Sequence, residues 1–122
     1  TFCPTTRKSL PAWQDFRRSL DDLGIGILAI SGDTPENHAQ FAETRNIGFP
    51  LLTDSDLAVS KEYGVYISYA ESRGHFGEPA LVVIDRDGDV AYSLISSGPK
   101  GLPEPGAVAP VLIYMSTHGG KY

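Results

Sequence analysis

The chain has 122 residues, 41% apolar and 20% charged, proportions ordinary for one soluble globular domain with a real core. Fifteen acidic against ten basic residues leave a net charge of −5, which speaks against a nucleic-acid partner, since that would need a basic face. The longest apolar run, residues 25–30, is far too short to span a bilayer, so no membrane partner is expected. His38, His75 and His118 are scattered without metal-ligand spacing, and no metal or cofactor is expected either. A single cysteine excludes an intramolecular disulfide and fits a reducing compartment, here read as the cytoplasm. No cleavable leader pattern is visible, and the chain opens on Thr1 rather than Met.

Taken in order, Leu10, Trp13, Phe16, Leu20 and Leu23 recur every three or four positions, which predicts a helix over 4–23. Pro11 falls inside it and should kink it. Gly24 ends that helix, and residues 25–30 read as a strand buried on both faces. Residues 31–36 form a loop feeding a second helix, with Thr34 as N-cap, Pro35 at its first position and an end near Asn46. Residues 49–53 are extended. Asp54 or Ser55 then caps a helix closing at Gly64. A brief strand is expected over 65–69 and irregular chain over 70–77.

Residues 80–84 form the second fully apolar strand. Asp85-Arg86-Asp87-Gly88 is a tight turn, Gly88 supplying a positive φ, and residues 90–95 return antiparallel. Residues 96–106, rich in proline and glycine, are a loop. A closing helix spans 108–117. This alternation points to an α/β domain with helices on both faces of the sheet.

The chemistry-bearing residue is Cys3, directly ahead of the first helix. A thiol there meets unpaired backbone N–H groups and the positive end of the helix dipole, both favouring the reactive thiolate. Pro4 suits the first helical position, and Arg7 and Lys8 bring two cations into the first turn. The alternative for a lone cysteine is a small buried hydrophobe. Thr6 shares a helix face with Cys3 and can offer its hydroxyl to the sulfur, or else serve as an ordinary first-turn residue bonded to its own backbone.

Four blocks resemble the peroxiredoxin branch of the thioredoxin-like superfamily, the alkyl hydroperoxide reductase and thiol-specific antioxidant group. Phe2-Cys3-Pro4-Thr5 is similar to its peroxidatic motif, residues 30–36 to the loop after the next strand, residues 49–54 to the following segment, and residues 79–88 to its last hairpin. They occur in the family's order and cover nearly the whole chain. The resemblance implies a thioredoxin-like fold with a central mixed sheet and one domain over 1–122. It also implies a peroxide substrate for Cys3, aided by Thr6 and Arg7, an external thiol reductant of thioredoxin or glutathione type, and a possible homodimer. Pro11 matches the kinking proline of thioredoxins, and Pro79 the cis-proline facing the active cysteine.

Three departures accompany it. The family's strand before the cysteine is absent, so the chain is expected to be truncated at its N-terminus. The family's catalytic threonine would precede Thr1. Its arginine would fall near Pro79, where no arginine stands; Arg7 or Arg73 could substitute, with a solvated surface role the plainer reading of Arg73. The rival readings are a monothiol exchange protein of glutaredoxin or thioredoxin type and a non-catalytic scaffold.

Overall fold

The computed structural model describes residues 4–97 and 102–122. Its elements are α1 (Pro4–Asp22), β1 (Ala29–Ser31), α2 (Pro35–Arg45), β2 (Leu51–Thr53), α3 (Ala58–Glu62), β3 (Ile67–Ala70), β4 (Gly74–Gly77), β5 (Ala80–Ile84), β6 (Val90–Ile95) and α4 (Pro105–Ser116). α1 is continuous through Pro11. Thr34 caps α2 as its sequence position predicts, accepting from the Asn37 backbone N–H at 3.1 Å, and Asn46 closes the helix in the left-handed region.

β1 and β2 pair in parallel across α2, Ala29 opposite Leu51 and Ile30 opposite Leu52. β5 and β6 form the antiparallel hairpin, Val83 opposite Tyr92, with a register irregularity between Val83 and Ile84. The strands thus form separate two-stranded sheets, β1–β2 parallel, β3–β4 and β5–β6 antiparallel, and the single central mixed sheet expected from the sequence is not formed among the described residues, where β1 and β5 each keep one free edge.

One core joins these pieces. Leu10, Trp13 and Leu20 from α1, Phe41 from α2, Ile47, Phe49, and Val108 and Leu112 from α4 make its buried cluster, with Ala29, Leu51, Leu81, Val83 and Tyr92 packed against it. Burial of this apolar surface at about 25 cal/mol per Å² is the main favourable contribution to the fold.

Two sequence expectations are corrected. Residues 25–30 are not buried on both faces: Ile25, Ile27 and Ala29 pack on the core while Leu28 and Ile30 face outward, exposed. This is the period of two of a strand with one face covered, and the ladder itself starts only at Ala29. Residues 70–77 are not irregular either. Gly74, at φ +74°, turns the chain so that His75, Phe76 and Gly77 pair back onto Tyr69, Ser68 and Ile67; the pairing depends on a partner strand that local composition does not reveal.

Candidate active site

α1 begins at Pro4, the residue after Cys3, so the helix start that the sequence predicts behind the cysteine is observed. Cys3 itself lies outside the described residues. Thr6 and Arg7 both fall in the first turn of α1.

Pro79 is buried at the entry to β5 and lines an apolar groove of 310 Å³ with Leu94, Ile95, Leu102 and Pro103. The expected cis bond is not there: every peptide bond among the described residues is trans. Glu78 N–H donates to the Tyr66 carbonyl at 2.7 Å and Ser96 N–H to the Pro79 carbonyl at 3.0 Å, one on each side of the ring. Trans avoids the intrinsic cost of cis, about 0.5–1 kcal/mol before proline. The groove is tied to α1, because Trp13 Nε1 donates across its rim to the Pro103 carbonyl at 3.0 Å.

Arg73 does not approach this region through its charge. Its guanidinium, exposed, lies over the half-buried Phe76 ring, 4.1 Å from the centroid, on the β3–β4 hairpin, a cation–π contact. The surface role read from the sequence holds.

The structure adds a polar cluster that periodicity and spacing do not show. At the carboxyl end of β1, Ser31 Oγ donates to Asp33 Oδ2 at 2.8 Å and lies 3.2 Å from Nε2 of the buried His38. With its hydroxyl proton directed to Asp33, Ser31 Oγ keeps a lone pair for a donor at His38 Nε2. Thr53 Oγ1 donates to the Asp33 carbonyl at 2.8 Å and Asp54 N–H to the Ser31 carbonyl at 2.8 Å, fastening this loop to the end of β2. Only the conjunction of Ser31, Asp33 and His38 in one short segment could have suggested the cluster.

Asp54 organises the next turn. Its carboxylate is buried and accepts from Val59 N–H at 3.2 Å, Ser60 N–H at 2.8 Å and Ser60 Oγ at 2.9 Å. Burial pushes its pKa up, yet the hydrogen bonds from Ser60 and Val59 prevail, and it lies below the usual carboxylate value. The sequence reading of Asp54 as a cap is right in substance, although the helix it serves starts only at Ala58.

Asp85, Asp87 and Asp89 converge at the β5–β6 turn with carboxylate oxygens within 4.8 Å. The Lys121 ammonium sits against Asp85 at 3.4 Å and bonds Asp87, so this acidic group already has a counter-charge.

The class of fold follows from these elements together with solved structures. The chain superposes on Enterococcus faecalis AhpC with a TM-score of 0.77 at 22% identity, over 99% of this chain and 74% of that one. It superposes on the peroxidoxin BcpB of Mycobacterium tuberculosis with a TM-score of 0.74 at 22% identity, over 96% and 72%. The fold is the thioredoxin-like one.

A family model described as AhpC/TSA matches residues 1–93, and the chain belongs to that family. A peroxiredoxin of the bcp type from Haemophilus influenzae is 42% identical over 53 residues, 43% of this chain and 34% of that protein. A bcp peroxiredoxin from Coxiella burnetii is 29% identical over 94 residues, 72% and 60%. The chain thus spans less than two thirds of the length of these relatives. No helix among the described residues is long and apolar enough to cross a membrane.

Proposed function

We propose that the chain is the catalytic portion of a thiol-dependent peroxidase that reduces hydrogen peroxide or alkyl hydroperoxides through Cys3. The supporting observation is the AhpC/TSA match over residues 1–93, joined to a helix that starts at the residue after the only cysteine. The Cys3 thiolate attacks the distal peroxide oxygen, and the S–O bond forms as the O–O bond breaks. Sulfur is oxidised to a sulfenic acid while the departing oxygen, reduced, takes a proton and leaves as water or an alcohol. Helix N–H groups and Arg7 stabilise the charge on sulfur and on the leaving oxygen, and Thr6 offers a hydroxyl to the sulfur. An outside thiol then condenses with the sulfenic acid, releasing water, and a second thiol resolves the mixed disulfide. Thioredoxin- and glutathione-like thiols are the proposed reductants.

The same reading treats 1–122 as one domain and gives the free edges of β1 and β5 to a strand from a segment upstream of Thr1. It places the protein in the cytoplasm, where a lone thiol stays reduced. Alkylation of the single thiol against pH provides the test. An apparent pKa below about 7, against about 8.5 for a free thiol, together with peroxide-driven formation of a dimedone-reactive sulfenic acid, is the expected result. Arg7→Ala should raise that pKa. A pKa above about 8.5 with no peroxide consumption leaves the scaffold reading, and a mixed disulfide with oxidised glutathione in place of the sulfenic acid leaves the exchange reading.

A further inference from the structure

Glu78 is buried, at 9% exposure. Among the described residues no hydrogen bond or ion pair reaches its carboxylate, whereas the buried carboxylate of Asp54 holds three donors. A carboxylate taken out of water in this way is costly until a cation meets it. Its place in the fold gives that cost a use. The preceding Gly77 packs so closely that a Cβ there would meet Val65 Cγ1 at 3.1 Å and Ser60 Oγ at 3.8 Å. Ser60 Oγ in turn donates to Asp54 at 2.9 Å, immediately after β2. Glu78 therefore stands at the carboxyl end of the β1–β2 pair.

The start of α1 stands at that same end. α1 hands the chain on to β1 through Ile25 N–H on the Leu20 carbonyl at 2.8 Å, and Gln14 accepts from Gly48 N–H, just before β2, at 2.7 Å. The later turns of α1 thus lie at the amino ends of both strands, and its first turn, about 28 Å from its last at 1.5 Å per residue, lies at their carboxyl ends. In open α/β sheets ligands bind outside the carboxyl ends of the strands. Asp33 and Asp54 share this end but are already engaged, Asp33 by Ser31 and Asp54 by Val59 and Ser60.

We infer that Glu78 is a binding residue for a positively charged reductant: the outside thiol that meets Cys3 is a small thiol bearing an ammonium group. This rests on the reading of Cys3 as the reacting thiol. The ammonium supplies the counter-charge that the buried carboxylate lacks, and the carboxylate holds the thiol at the end of the fold where α1 begins. The thiol sulfur bonds to the sulfenic sulfur and water leaves; a second thiol then removes the first as a disulfide and restores the Cys3 thiol.

Methanethiosulfonate reagents read the charge preference of Cys3 without peroxide, because the thiolate bonds to the reagent sulfur and a sulfinate leaves. The rate with the aminoethyl reagent, divided by the rate with the sulfonatoethyl reagent, should exceed one in the native chain and fall at least about 5-fold in Glu78→Gln. Glu71→Gln makes the same change of net charge on the exposed β3–β4 turn and should keep the ratio. The thermal midpoint of Glu78→Gln should equal or exceed that of the native chain, since a buried charge has been removed. With peroxide present, cysteamine should support faster turnover than 2-mercaptoethanesulfonate, by a margin that Glu78→Gln narrows. An unchanged reagent ratio in Glu78→Gln, or an equal fall in Glu71→Gln, overturns the inference. So does a clear drop in the midpoint of Glu78→Gln, the mark of a structural ion pair. A reagent ratio that responds to Glu78→Gln in a chain that consumes no peroxide refutes the peroxidase reading and leaves the charge selection by Glu78 standing.

Discussion

Replacing Asp54 by alanine isolates the part played by one buried carboxylate in holding the chain after β2. The side chain is 6% exposed and accepts three hydrogen bonds, from Val59 N–H, Ser60 N–H and Ser60 Oγ. The formal N-cap of α3, Leu57, sits at φ 60° and makes no side-chain cap bond, so nothing else shown there satisfies those backbone donors. Removal of an N-cap costs about 0.5–2 kcal/mol, and hydrogen bonds to a charged acceptor lie at the upper end of the usual range. Part of the loss is recovered by water reaching the freed N–H groups, so about 2 kcal/mol is expected at neutral pH.

The pH dependence of Asp54→Ala carries a sign. The folded-state pKa is depressed below the ordinary value of 3.8. The stabilisation is therefore full above that ordinary value and is lost as pH falls through the lower folded value. Urea denaturation of the native chain and Asp54→Ala at pH 7 should show the gap, and the gap should narrow on acidification below pH 3.8. Equal midpoints at pH 7, or a gap that widens in acid, would refute the assignment of Asp54 as an ionised cap. Asp54→Asn, which keeps one acceptor oxygen, should fall between the two.

Trp13→Ala should cost about 3–5 kcal/mol in chemical denaturation, since the ring is 5% exposed within the main cluster; a loss below about 1 kcal/mol would contradict that burial. Trp13→Phe keeps most of the packing and removes the bond to Pro103, so about 1 kcal/mol is expected, the difference measuring what ties α1 to the groove beside Pro79. Gly88 adopts φ +87° in the β5–β6 turn, where a β-branched residue is strained. Gly88→Val should lower the thermal midpoint clearly, while Asp87→Asn, which loses only an exposed contact to Lys121, should move it little. Similar midpoints for these two variants would exclude the positive-φ turn.

What could be read from the sequence was what short range decides. The phase of α1 follows from the 3.6-residue spacing of Leu10, Trp13 and Leu20, and all three are buried. Thr34 and Pro35 mark the start of α2 because a cap is a contact three residues long. Gly88 marks its turn because only glycine takes that φ without cost. The position of the first helix immediately after Cys3, on which the proposed chemistry rests, is of the same kind. What remained hidden depends on partners distant in sequence. Whether Leu28 and Ile30 are covered depends on what lies across the sheet, and the ladder of β4 on the strand that turns back to meet it. The bond from Trp13 to Pro103 crosses ninety residues. Local preferences are worth tenths of a kcal/mol to about 1 kcal/mol per residue, enough to set a helix phase or a turn. Burial and hydrogen bonding summed over a closed core outweigh them, and those sums exist only once the chain has folded.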